Sequence, residues 1–115
     1  MSEQHIQNQI LLALSEAGCT VWRQNTGLAW VGTPIQLSNG DVLLKNPRRL
    51  HVGLCKGSSD IIGMAPCGRM LAVEVKTQYG KPTQDQLNFI SQVNSKGGIA
   101  AIARTVDQAL RLVDT

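Results

Sequence analysis

The sequence predicts an α/β fold, a mixed β-sheet flanked by helices, and three observations carry that prediction. Leu71, Ala72, Val73 and Val75 form a near-continuous apolar run, the pattern of a strand covered on both faces. The apolar runs 61–65 and 69–76 flank Pro66-Cys67-Gly68, which reads as a β-hairpin. A helical pattern stands between the strands at 69–76 and 99–103, so those two strands can lie parallel through a right-handed crossover.

Taken in order, Ile6, Ile10, Leu11, Leu14 and Ala17 mark one apolar helical stripe, with Ser2 as its cap and Gly18 as its stop. Val21-Trp22-Arg23 starts a strand. The stretch from Leu28 to Leu37 reads as further β structure, and the turn signal Asn39-Gly40 leads into Asp41-Val42-Leu43-Leu44. A basic loop follows, then the hairpin. Gln78 to Pro82 is a turn-rich connection, and Thr83 with Gln86 has capping-box spacing for a helix that turns Leu87, Ile90 and Val93 inward. Gly97-Gly98 ends that helix. Ile99 to Ala103 is a short apolar strand, and a closing helix begun near Thr105 carries Val106, Ala109, Leu110 and Val113. Counting the early β structure loosely, the order is αββββαβα.

Length and charge narrow the function classes. The chain has 115 residues, enough for one core but not two, and a net charge of +3 with a pI near 9.0. It lacks a run of eighteen apolar residues, and Met1-Ser2-Glu3-Gln4-His5 is not a signal-peptide start, so a soluble, intracellular protein without membrane partners is expected. Cys19, Cys55 and Cys67 are odd in number and lack a CxxC pair. Together with the isolated His5 and His51 they give neither a disulfide framework nor a zinc pattern. Cys55 as a nucleophile would need a base that the sequence does not display. Trp22 and Trp30 read as core or dimer-interface residues.

The hairpin loop fixes a register, and the register creates a site. Pro66 suits the first position of a type I turn and Gly68 the left-handed position after it. Pairing Ala65 with Arg69 then opposes Met64 to Met70, Ile62 to Ala72 and Asp60 to Glu74. Directly opposed side chains share a face with Cβ atoms about 5 Å apart. Alternation along the strand puts Lys76 on the face of Glu74 and Val75 on the other. Two opposed carboxylates repel unless a cation lies between them, and a hard divalent ion such as Mg²⁺ prefers such oxygens. The competing reading is an ordinary Asp at a strand entrance and a solvated Glu/Lys pair. Lys45, Arg48, Arg49, His51 and Lys56 cluster just upstream of Asp60, either as a solvated loop or as a DNA-backbone contact.

These residues resemble the PD-(D/E)XK nuclease superfamily, and within it the VRR-NUC family of virus-type replication-repair nucleases. Glu3-x-x-Ile6-Gln7 is similar to that family's first-helix motif, and Val21-Trp22-Arg23-Gln24-Asn25-Thr26-Gly27 to its strand and turn. Gly57-Ser58-Ser59-Asp60 stands at the Gly-x-x-Asp element, with Ser59 where the family usually has Pro. Glu74-Val75-Lys76 matches E-x-K, and Thr83-Gln84-Asp85-Gln86 the opening of the following helix. The resemblance spans nearly the whole chain as one domain, 1–115. It implies a restriction-endonuclease-like αβββαβ core plus a C-terminal helix.

The same resemblance implies a Mg²⁺-dependent endodeoxyribonuclease, with Mn²⁺ as a substitute ion, in the cytoplasm of a bacterial or phage-infected cell. Asp60, Glu74 and the Val75 carbonyl would ligate the metal, and Lys76 would stabilise charge or orient the attacking water. Glu3 is either an outer ligand or a water-orienting group, or else an acid favoured by the helix dipole. Gln86 holds Lys76 or a phosphate, or simply caps its helix. Lys45, Arg48, Arg49 and Lys56 would meet DNA. Stand-alone relatives are associated with homodimers that cut branched DNA, Holliday junctions included. The alternative from another class is a non-catalytic DNA-binding module of a replication or repair assembly.

Overall fold

The computed structural model describes residues 2–24 and 27–114. Asn25 and Thr26, part of the strand-and-turn motif, lie outside the described residues. Helix α1 (Glu3–Glu16) is capped by Ser2, whose hydroxyl accepts from the His5 N–H at 3.2 Å. It leads into β1 (Thr20–Arg23), then the long β2 (Gly27–Gln36) and β3 (Val42–Val52). The hairpin strands β4 (Ile61–Met64) and β5 (Met70–Val75) follow, then α2 (Gln84–Ser95), β6 (Ile99–Ala103) and α3 (Val106–Val113).

Four strands form the main sheet in the order β1-β4-β5-β6. β1 and β5 flank β4 antiparallel, and β6 runs parallel to β5 after the α2 crossover. This is the expected mixed sheet flanked by helices. The early β structure is not part of it, because β2 and β3 pair with each other as a separate two-stranded sheet. The elongated dimensions of the molecule, 55 × 30 × 27 Å, reflect that arm.

The hairpin register is the one that the Pro66-Cys67-Gly68 loop predicts. Met64 pairs with Met70 and Ile62 with Ala72, the Ala65 N–H donates to the Arg69 carbonyl at 2.9 Å, and Gly68 has φ of 90°. Alternation then sorts β5 between two cores. Leu71, Val73 and Val75 join Ile61 against Ile6, Ile10 and Leu14 of α1 and Ala109 of α3. Ala72 joins Ile62 and Ala100 against Val93 of α2, with Phe89 and Ile90 packed alongside. Burial of each large aliphatic side chain contributes about 1.5–3 kcal/mol, so losing the β5 register would forfeit both clusters at once.

Four sequence expectations are corrected. Leu87 is exposed and Phe89 packs inward instead. Ala17 is an exposed C-cap residue rather than part of the buried stripe. Trp22 and Trp30 are both exposed, which overturns the core half of their reading and leaves the dimer-interface half untouched. The basic segment is not a loop, since Lys45, Arg48, Arg49 and His51 lie within β3. Pro47 is accommodated within the strand because the ladder shifts register opposite Gly32 and Asn46 takes a φ of 51° there, forming a bulge.

Two glycines of left-handed backbone separate conformational strain from collision. Gly68 has open space around a would-be Cβ, whereas at Gly57 (φ 85°) that atom would stand 2.3 Å from the Asp85 carbonyl oxygen at the start of α2. Gly68→Ala should therefore cost about 1–2 kcal/mol, the backbone penalty alone. Gly57→Ala should cost clearly more, measured as a larger fall in denaturant midpoint at equal m-value.

Candidate active site

The β4–β5 ladder ends at Ile61 and Val73, one residue short of Asp60 and Glu74. Beyond it, the Val75 N–H donates to Oδ2 of Asp60 at 2.9 Å, so a carboxylate replaces the backbone acceptor that β4 no longer supplies. On the other side, the Gln24 N–H donates to the Asp60 carbonyl at 2.7 Å and ties the residue to the end of β1. Asp60 is thus fixed between its two neighbouring strands.

Glu74 follows Ala72 onto the α2 face and is 2% exposed. Its Oε1 accepts from Nε2 of Gln86 at 3.2 Å. Gln86 also completes the capping box of α2, its Oε1 accepting from the Thr83 N–H at 2.9 Å while its own N–H donates to Thr83 Oγ1. The cap and the site contact are one side chain, and its site partner is Glu74 rather than Lys76. Lys76 Nζ lies 4.0 Å from Glu74 Oε1, with its side chain 13% exposed.

Glu74 Oε2 is buried and has no hydrogen-bond partner. Burial first, and then the adjacent Asp60 carboxylate, push the Glu74 carboxyl up from 4.5 to about 8; Lys76 opposes the rise and Glu3 adds to it. Adjacent carboxyls with an unpartnered buried oxygen are the donor set that a hard divalent cation satisfies. Among the described residues, no group of three or more His, Cys, Asp or Glu side chains gathers to hold a metal. A cation here would therefore rest on two carboxylates, with other oxygens completing its shell.

The remaining expected residues are placed unevenly. Glu3 is exposed at the start of α1, lining a recess with Gln7 and Arg23, and reaches Glu74 only through its charge. Lys56 lies on a cleft of about 380 Å³ lined also by Gln24, Asp60, Thr83 and Gln86. Its ion pair with Asp85, at 3.4 Å, is exposed and contributes little to stability. Lys45, Arg48 and Arg49 lie on the β2–β3 arm. A larger concavity, lined by Pro66, Cys67, Arg69 and α3, contains none of these groups.

Three features were not singled out from the sequence. The hydroxyls of Ser58 and Ser59, just before Asp60, are buried without partners, each at a cost of about 1–3 kcal/mol. Gln7 is 8% exposed beside the site's α1 edge, where only a motif position had marked it. Arg104 donates to the carbonyls of Thr77 and Gly80, each at 2.6 Å, and so pins the turn after Lys76. Nothing in the residues around Arg104 signals that contact, because it spans more than twenty positions.

The raised Glu74 value has a definite sign. The folded state holds a proton that the unfolded chain releases near 4.5, so this group's contribution to stability is full below that value and lost as pH rises through about 8. Chelated protein should show a thermal midpoint that falls between about pH 5 and about pH 8, and Glu74→Gln should flatten that fall. Added Mg²⁺ should restore the midpoint at the alkaline end by favouring the ionised carboxylates.

None of the curated proteins matches the chain. The family model of the VRR-NUC domain matches residues 2–107 of the 115, from the helix carrying Glu3 through the start of α3. That span includes the Asp60–Glu74–Lys76 cluster and both sheets, and it implies a nuclease-type domain that binds DNA. The chain belongs to the VRR-NUC family.

Proposed function

We propose that this chain is a divalent-metal-dependent endonuclease that hydrolyses DNA phosphodiester bonds. The observation that carries the reading is the buried Glu74 carboxyl, one oxygen without a partner, beside Asp60 and on the face of Lys76. Asp60, Glu74 and the Val75 carbonyl would hold Mg²⁺, with Mn²⁺ able to substitute. Bound there, the cation would supply a more acidic water and offset charge at the phosphorus.

The chain's own groups divide the remaining work. Gln86 occupies Oε1 of Glu74, which leaves Oε2 as the oxygen for a ligand. The Val75 N–H fixes the Asp60 carboxylate, so its position does not depend on side-chain rotamers alone. Lys76 holds a positive charge where negative charge develops on the phosphate, or orients the attacking water. Glu3, at the outer edge, orients water. The basic residues Lys45, Arg48, Arg49 and Lys56 neutralise DNA phosphates.

In its finer form the reading is a structure-selective enzyme that acts on branched DNA as a homodimer. Paired cuts across a symmetric four-way junction need two sites related by a two-fold axis. Sedimentation that finds only monomer, with junctions left uncut, would remove this finer form.

Glu74→Ala should abolish cleavage of a labelled junction in Mg²⁺, and full activity in that variant would overturn the site. Lys76→Ala should lower turnover by about 10²–10³-fold with little change in DNA affinity. Calorimetric titration with Mn²⁺ separates the enzyme from a non-catalytic DNA-binding module, because the module would bind DNA and no metal.

A further inference from the structure

Among the described residues, the β2–β3 arm is a two-stranded ribbon that packs extensively against no helix or strand beyond its own pair. From Gly27 to Val52 it carries Lys45, Arg48 and Arg49 but a single acid, Asp41, in the tip turn, where the Asn39 amide donates to the Asp41 carboxylate at 3.0 Å. Its apolar side chains are left in solvent: Leu28 is 58% exposed, Trp30 57% and Leu43 53%. The Arg49 guanidinium stacks over the Trp30 ring at 5.5 Å from its centroid.

The cations lie on both faces of the ribbon. Arg48 and Arg49 are consecutive and so point oppositely. Val31 pairs with Arg48 and Thr33 with Lys45, and since 31 and 33 share a face, the bulge at Asn46-Pro47 returns Lys45 to the side of Arg48. A ribbon resting on one phosphate backbone needs cations on one face only. Cations on both faces fit a place between two backbones, as in the groove of a duplex. The major groove, about 12 Å wide, admits a two-stranded β-ribbon, and a bulge adds the twist that a helical groove requires. A second copy of this arm is disfavoured as its cover, because juxtaposed arms would bring like charges together.

We propose that the β2–β3 arm is a DNA-binding ribbon that enters the major groove of the duplex beside the site, with Arg48 and Lys45 facing one phosphate backbone, Arg49 the other, and Trp30 packed on the groove surface. The inference rests on the DNA-binding half of the reading above. Continuity supports it, since the root of the arm at Gly27, Leu28 and Val52 shares a surface recess with Lys56, which also lines the Asp60 cleft.

The test is fluorescence anisotropy of the full chain with a labelled linear duplex of about 20 base pairs and with one of its strands alone, in EDTA across a salt series. Arg48→Ala and Arg49→Ala should each weaken duplex binding several-fold and reduce the log–log salt slope by about 0.9, with the double variant close to additive. Single-strand affinity should fall less. Thermal midpoints should stay at the wild-type value for Arg48→Ala, whose side chain is exposed, and fall only slightly for Arg49→Ala, which also loses the stack on Trp30. Equal losses on duplex and single strand would overturn groove entry, and unchanged duplex affinity and slope would overturn the arm as a DNA contact. Loss of self-association by sedimentation, with duplex affinity intact, would make the arm an interface between copies and overturn the proposal. Because EDTA prevents metal-dependent cleavage, a chain that binds through the arm yet cuts nothing in Mg²⁺ would overturn the nuclease reading and leave this one standing.

Discussion

The hydrogen bond from the Val75 N–H to the Asp60 carboxylate is the contact on which the site depends. It occurs where one ladder stops and the strand beside it continues. A backbone donor on a central strand cannot be left unpaired in the interior without a cost of about 1–3 kcal/mol, and the side chain at the entrance of β4 meets that requirement. The same contact sets Asp60 against Glu74, because alternation puts the neighbour of Val75 on the opposite face. A rule of sheet construction thereby brings two acids together that electrostatics alone would separate.

That conflict is held in place by the two clusters on either side of β5. Leu71, Val73 and Val75 are locked by α1 and α3, while Ala72 is locked by α2. Glu74 cannot turn to water without moving a strand that is buried on both faces. The fold's apolar burial therefore opposes the local cost of a desolvated carboxyl and two orphaned serine hydroxyls. Gln86 joins the two levels, since the side chain that caps α2 also fixes one oxygen of Glu74.

How much of this was legible follows from how far each signal reaches along the chain. The 61–75 register was readable because Pro66 and Gly68 specify a turn within three residues, and a turn specifies every pair behind it. The caps at Ser2, Thr83 and Thr105 were equally local. The hairpin from Leu28 to Leu44 was legible, but the rest of β3 was not, because the bulge at Asn46-Pro47 breaks the period of two that marks a strand, and a ribbon exposed on both faces has no hydrophobic alternation to restore it. Leu87 was assigned inward from helical spacing alone, but the sheet meets α2 at Phe89 and Val93. The burial of Ser58 and Ser59 and the reach of Arg104 depend on chain segments far apart in sequence, where neither propensity nor spacing carries information.

The parallel partner of β5 has a consequence for the order in which the chain becomes whole. Glu74 and Lys76 lie on a strand whose far edge is closed by β6, with the Lys76 N–H donating to the Ala103 carbonyl and Arg104 gripping the turn beyond. During synthesis, which delivers N-terminal segments first, the acids of β4 and β5 emerge well before residues 99–104 can close that edge. Until then an unpaired central strand exposes its backbone, and the segment after Lys76 has nothing to hold it. The paired carboxylates are thus completed by a strand that arrives after them, so a nascent chain holds the residues of the site before it holds the site.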